Sequence, residues 1–157
     1  MFAVLMEKLL RREDLTSAEA AAFMADVMEG RAHDAQLGGF LVGLAMKGER
    51  PGEIVGLAQT MRKHAVPLSG QFERVFDTCG TGGDRSGTFN ISSCVAVVVA
   101  SCGVRVAKHG NRSVSSLSGS ADVFETLGVK ISAPAAVVER CLAEAGIGFF
   151  YAPTFHP

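Results

Sequence analysis

No charge of one sign dominates this chain: Lys+Arg 15 against Asp+Glu 16 leaves a formal net charge of -1 at pH 7. Nothing global attracts nucleic acid or an anionic membrane surface, so any anion site is local. Long apolar runs are missing too. The longest, residues 95–100, falls well short of the about 20 residues that a membrane-spanning helix needs. The four cysteines, Cys79, Cys94, Cys102 and Cys141, contain no Cys-x-x-Cys pair and no zinc-finger spacing. They are expected to be reduced thiols of a cytoplasmic protein. There is no internal repeat and no low-complexity tract. What remains is a chain of 157 residues with 48% hydrophobic content, enough for one ordinary domain or for a small helical domain attached to part of a larger one.

Helical periodicity runs through the first seventy or so residues. Leu5, Leu9 and Leu10 mark a short apolar face, and Thr16 with Glu19 fits a capping box that opens a helix through Met28, ended by Gly30. Asp34 is expected to cap the next helix, which carries Leu37, Phe40, Leu41, Leu44 and Ala45, and Pro51 to sit in the first turn of a helix through His64. Residues 1–66 therefore read as an all-helical domain. After the connection Val66-Pro67-Leu68-Ser69-Gly70 the pattern changes. Strands are expected at 75–78, 104–107, 129–131 and 147–151, with helices at 90–102, 119–127 and 134–145 between them. Such alternation implies right-handed crossovers and a parallel sheet over residues 71–157. Ligands of such sheets bind beyond the carboxyl ends of the strands.

Two loops emerge at that edge. The first, Asp77-Thr78-Cys79-Gly80-Thr81-Gly82-Gly83-Asp84-Arg85-Ser86-Gly87-Thr88, leads through Phe89 into Asn90-Ile91-Ser92-Ser93. Glycines let backbone amides crowd one anion, and a helix start near Asn90 adds its unpaired N–H groups. The second, Lys108-His109-Gly110-Asn111-Arg112-Ser113-Val114-Ser115-Ser116, brings cations, an imidazole and hydroxyls. Neither a P-loop ending nor a G-x-G-x-x-G fingerprint is present. A lone glycine-rich turn more often just reverses the chain, but the pair of loops describes a polyanion site.

These two loops, in this order, resemble the anthranilate phosphoribosyltransferases of tryptophan biosynthesis. The resemblance runs from the helical N-terminus to Pro157. It implies an α/β fold of the nucleoside phosphorylase and class II phosphoribosyltransferase kind behind an all-helical N-terminal subdomain. It also implies that this chain is the first part of a longer enzyme, inactive without downstream residues. The implied reaction transfers the phosphoribosyl group of 5-phosphoribosyl 1-pyrophosphate (PRPP) to anthranilate, with Mg²⁺ as cofactor, in a cytoplasmic homodimer joined through the N-terminal helices. By that resemblance Gly80, Thr81, Gly82, Gly83 and Asp84 wrap the pyrophosphate, and Thr88, Asn90, Ile91, Ser92 and Ser93 hold phosphate oxygens. Ser92 is the implied magnesium ligand, and Ser93 stands where the family often has threonine. Lys108 would offset charge on departing pyrophosphate. Arg112, Ser113, Val114, Ser115, Ser116 and Ser120 would complete the PRPP rim. Gly80, His109, Gly110 and Asn111 would line the anthranilate path.

Other readings of single residues are plainer. His33, His64 and His156 read as structural, Cys79 as a backbone contributor, and the Asp122/Glu125 pair as helix capping or solvated charge rather than a metal site. Alternatives for the whole are a pyrimidine nucleoside phosphorylase-like enzyme, against which the uninterrupted second loop speaks, and a nucleic-acid-binding relative, which the near-neutral charge does not favour.

Overall fold

The computed structural model describes residues 1–79, 89–113 and 118–156, and divides the chain into two compact units, Met1–Ala65 and Val66–Pro157. In the first, α1 (Phe2–Leu10), α2 (Ser17–Met28), α3 (Asp34–Lys47) and α4 (Pro51–His64) follow one another. The capping box is formed as expected: Thr16 Oγ1 accepts from Glu19 N at 3.2 Å while Glu19 Oε2 accepts from Thr16 N at 2.8 Å. Gly30 then leaves α2 with a φ of +69°, a conformation open to glycine at little cost. At α3 the cap differs from expectation. Asp34 is the first helical residue, His33 is the N-cap, and Gln36 Oε1 accepts from His33 N at 3.0 Å.

The apolar stripes of these helices meet in one cluster of Leu5, Leu9, Leu15, Phe23, Phe40 and Leu44. Phe23 and Phe40 stack with ring centroids 4.1 Å apart. Each such fully buried side chain contributes roughly 1.5–3 kcal/mol relative to exposure. Leu10 departs from expectation: it is 79% exposed, because the buried face of α1 runs through Leu5 and Leu9. At the other end of this core lies a fully buried acid. Glu53 Oε1 accepts from Leu15 N, and Oε2 accepts from Arg50 N, both at 2.7 Å, and Lys47 Nζ reaches Oε2 at 3.1 Å. Lys47 also donates to Asp14 Oδ1 at 2.9 Å. Burial works against the Lys47 charge, but the bonds to Asp14 and Glu53 win and raise its pKa.

The second unit holds α5 (Ile91–Ser101), β1 (Val106–Gly110), α6 (Ser120–Thr126), α7 (Ala135–Glu144), β2 (Ile147–Tyr151) and the short α8 (Ala152–Phe155). β1 and β2 pair in parallel, with Val106 opposite Ile147 and Gly110 opposite Tyr151. On the other flank of β1 the expected strand at 75–78 is reduced to a single parallel bridge, Phe76 to Val106. The expected strand at 129–131 does not form. Gly128 turns the chain at the end of α6, the Val129 N–H is spent on Phe124 O at 2.9 Å, and Ile131 joins Ala121, Phe124 and Phe149 in a core cluster. The expected strand at 104–107 lies two residues later, because Lys108 and Gly110 are buried ladder residues. The unit opens at Val66, whose N–H donates to Phe155 O at 2.9 Å and whose side chain packs beside Ala133, Val138 and Phe155. Among the described residues no helix is long and apolar enough to cross a membrane, and all four cysteines remain thiols.

Removing the Glu53 carboxylate would leave the Leu15 and Arg50 amides without their acceptor and take from the Lys47 ammonium one of its two carboxylate partners. Glu53→Ala is expected to cost roughly 3–5 kcal/mol, read as a lower midpoint in denaturant unfolding. Glu53→Gln, which keeps one acceptor, should cost less.

Candidate functional site

Parallel pairing of β1 with β2 and with Phe76 brings three chain segments out at one edge. From the Phe76 side come Asp77, Thr78 and Cys79; from β1 come Lys108, His109 and Gly110; past β2 comes His156. The first turn of α5 faces the same segment, since Thr78 Oγ1 donates to the Ser92 carbonyl at 2.7 Å. Ser93 is buried there, and its Oγ has no hydrogen-bond partner among the described residues. An orphaned hydroxyl in a buried helix start calls for an explanation, and a ligand is one.

Lys108 is the most constrained member. It is 2% exposed, its Nζ donates to the His109 carbonyl, and no carboxylate among the described residues forms an ion pair with it. Burial lowers its pKa, opposed by the charges of Cys79 and Asp77. A bound anion would reverse that cost.

His109 sits beside it. Its backbone N–H donates to Asp77 Oδ1 at 3.2 Å, and its Nδ1 lies 3.7 Å from Cys79 Sγ. Its Nε2 is buried and has no partner among the described residues, as is true of Nδ1 of His156, whose ring meets it edge-on with centroids 5.9 Å apart. Burial lowers the His109 pKa; Asp77 opposes this, while His156 and Lys108 add to it. His109 is therefore a neutral ring near pH 7.

The second loop is packed tightly at its ends. A Cβ on Gly110 would lie 2.2 Å from Ser120 Oγ and 2.9 Å from the Phe149 ring, and one on Gly119 would lie 2.4 Å from Ser113 N. Glycine is required at both for close packing. Asn90 donates through Nδ2 to the Ser118 carbonyl at 3.0 Å, tying this loop to the start of α5. Arg112 spreads its guanidinium over Asp122 (2.9 Å) and Glu125 (2.8 Å), and these carboxylates raise its pKa.

Of the residues singled out in the sequence, Asn90, Ile91, Ser92, Ser93, Lys108, His109, Gly110, Asn111, Arg112, Ser113 and Ser120 are described. Gly80, Thr81, Gly82, Gly83, Asp84, Thr88, Val114, Ser115 and Ser116 lie outside the described residues. Sequence reasoning assigns no role to Asp77 or the Cys79 side chain and reads His156 as structural; the structure brings all three beside His109. The strand-end rule, applied to β2 as to β1, would mark His156.

Comparison with known proteins bears on both units. A family model for the helical bundle domain of a glycosyl transferase family matches residues 4–65, and the model for its a/b domain matches residues 73–157. Among curated relatives, the anthranilate phosphoribosyltransferase of Syntrophobacter fumaroxidans is 54% identical over 96% of this chain and 45% of its own length. That of Chloroflexus aurantiacus is 56% identical over 95% of the chain and 44% of its own length. The chain thus spans a little under half of these relatives. The crystal structure of anthranilate phosphoribosyltransferase from Thermus thermophilus superposes with a TM-score of 0.85 at 43% identity, over 98% of this chain and 46% of that one. The Saccharomyces cerevisiae enzyme in complex with PRPP and Mg shares the fold, with a TM-score of 0.82 at 23% identity over 99% of this chain and 47% of that one.

The His109 ring should titrate by NMR below the 6.5 of a free imidazole. Asp77→Asn should lower it further, since the Asp77 charge is the influence holding it up. The unfolded chain takes up this proton first, so His109 leaves stability unchanged above pH ~6.5 and makes it fall as the pH drops below that value.

Proposed function

The chain belongs to the glycosyl transferase family of those two models, and we propose on that footing that it forms the PRPP-binding part of an anthranilate phosphoribosyltransferase. The observation that carries this reading is Lys108: a residue 2% exposed in the middle of the parallel strand β1, two positions before its carboxyl end, with no acid ion-paired to it among the described residues. A buried cation without a partner anion is costly, and a substrate bearing a pyrophosphate would supply the missing charge. Ser93, with its orphaned hydroxyl, and the first turn of α5 offer hydrogen bonds to the same phosphates. The residues outside the described ones, Gly80 to Asp84 and Thr88 in the first loop and Val114 to Ser116 in the second, keep the phosphate-holding roles implied by the resemblance.

In this reading the amino group of anthranilate displaces pyrophosphate from ribose C1. Lys108 offsets the negative charge that grows on the leaving group, which is where electrostatic stabilisation has most leverage. Because His109 is neutral, it positions anthranilate by hydrogen bonding rather than by charge. The unpartnered nitrogens of His109 and His156 give two polar contacts for an aromatic acid or amine. Gly110 and Asn111 line the same approach.

Magnesium fits this residue set in one way. Among the described residues no group of three or more acids, histidines or cysteines could hold a metal by itself, while Ser92 offers a hydroxyl beside the phosphate site. Mg²⁺ is commonly bound through substrate phosphates with few protein ligands. The ion would enter on the pyrophosphate, with Ser92 as its contact in this chain, and would neutralise part of the leaving group's charge.

The cytoplasm suits a protein with four thiols, small-molecule substrates suit a chain of near-zero net charge, and a homodimer suits the helical unit. Leu41, Val42 and Met46 of α3 are 50%, 60% and 72% exposed, a larger apolar group than a solvated helix face carries without a partner.

Calorimetry should show Mg²⁺-dependent binding of PRPP by this chain, and Lys108→Met, which keeps the buried stem, should weaken it by at least about tenfold. Equal affinity in the variant would return Lys108 to a structural role. Light scattering should report a dimeric mass, and Leu41→Glu with Val42→Lys should convert it to a monomer.

A further inference from the structure

The segment Val66–Gly70, which reads in the sequence as a connection, is fastened to the second unit at both of its ends. At the first, Val66 N donates to the Phe155 carbonyl at 2.9 Å, and the Val66 side chain packs against the cluster of Ala133, Val138 and Phe155. At the second, the Glu139 carboxylate accepts from two consecutive amides, Ser69 N at 2.8 Å on Oε1 and Gly70 N at 3.0 Å on Oε2. Val138 and Glu139 are neighbours on α7, so one helix catches both ends. Gly70 is fitted to its place: a Cβ there would lie 2.9 Å from the Phe72 ring and 3.5 Å from Glu139 Oε2.

A plain linker needs neither fastening. What the first one holds is α8, a single turn over Ala152–Phe155. A helix this short has little stability of its own, so its place is set by what it touches. Phe155 is buried against the Phe150 ring, with centroids 4.8 Å apart, and its carbonyl takes the bond from Val66. The next residue is His156, whose amide closes the same turn on the Ala152 carbonyl at 2.8 Å. Its Nδ1 has no hydrogen-bond partner among the described residues, and its ring meets His109 edge-on. The position of that ring therefore follows from the backbone that carries it, and that backbone is bonded to Val66.

We infer that Val66 and Glu139 are positioning residues: the strap from Val66 to Gly70 fixes the end of α8 and so holds the His156 ring against His109, at the edge where the proposed function brings anthranilate. The functional consequence rests on that reading, while the ring geometry stands on its own. An aromatic contact already in place removes an ordering cost from the moment of binding.

The test follows the two rings by NMR in the 157-residue chain, through cross-relaxation between the His109 and His156 ring protons and through the titration midpoint of His109, with thermal unfolding as a check on the fold. Val66→Pro deletes the donor at a position open to proline, since Ala65 already has the extended conformation (φ −62°, ψ 142°) that precedes one. It is expected to weaken the cross-relaxation and to raise the His109 midpoint toward 6.5, because burial and His156 both lower it, with Lys108 adding to them and Asp77 opposing. Glu139→Ala should move both readouts the same way by less, and Glu139→Gln, which keeps one acceptor, by less again. Glu144→Ala, on the same helix and 73% exposed, removes a charge without touching the strap and should move neither. Anthranilate, added with PRPP and Mg²⁺ and followed by calorimetry, should bind Val66→Pro about tenfold more weakly. Unmoved ring readouts in folded Val66→Pro overturn the inference, and so does unchanged anthranilate affinity. Should Val66→Pro unfold, Glu139→Ala is judged by the same criteria. If the wild-type chain binds no anthranilate, the proposed role of the two histidines fails. The ring readouts then decide the strap on their own, displaced rings supporting it and unmoved rings overturning it.

Discussion

The parallel register of β1 against β2 is the constraint on which the candidate site depends. Parallel strands put their carboxyl ends on one edge, so pairing Val106 with Ile147 and Gly110 with Tyr151 commits Lys108, His109 and the chain leading to His156 to the same side. The single bridge at Phe76 adds Asp77 and Cys79 to that side by the same logic. A slip of one residue would turn Lys108 and His109 to each other's faces. Closely fitted glycines guard against it: Gly110 meets Ser120 and Phe149, and Gly148 admits a Cβ only 3.0 Å from the Val138 carbonyl.

Burying Lys108 in that ladder has a physical consequence beyond geometry. An ammonium withdrawn from water with no ion-pair partner among the described residues has its pKa lowered by burial, and that burial costs folding free energy. The site tolerates this because Val106, Phe149 and their neighbours supply compensating apolar burial. Lys47 in the helical unit is the instructive contrast. Its side chain is also withdrawn from water, 2% exposed, but Asp14 and Glu53 partner it and its pKa rises. Two buried lysines of one chain thus divide by their company: one completes an internal network, and the other is left with charge to offer.

Much of the fold could be read in the sequence where local rules agree with packing. The capping box at Thr16 and Glu19, the proline opening α4 and the strand Ile147–Tyr151 all form because propensity, pattern and burial point the same way. The failures have specific causes. Val129-Lys130-Ile131 alternates like a strand, yet its first amide is consumed in closing α6 and its isoleucine serves a helix–sheet cluster. The sequence pattern places β1 too far toward the N-terminus because a buried lysine and a glycine look like loop. Nothing local distinguishes them from loop residues until the partner strand is known.

The second loop shows why candidate site residues are harder to assign than folds. The sequence marks Arg112 and Asn90 as polar groups close to a ligand and leaves Asp122 as helix capping or solvated charge, but only the three-dimensional arrangement shows what each already holds. Asn90 is bonded to Ser118, and Arg112 to Asp122 and Glu125. Lys108, by contrast, forms no ion pair among the described residues, and Ser93, His109 and His156 retain buried polar atoms without partners there. Polar groups that are satisfied within the loop set its shape, and those left unsatisfied at its edge define what can bind. Sequence gives both kinds the same letters, so the division between scaffold and contact follows from hydrogen-bond accounting in the folded chain.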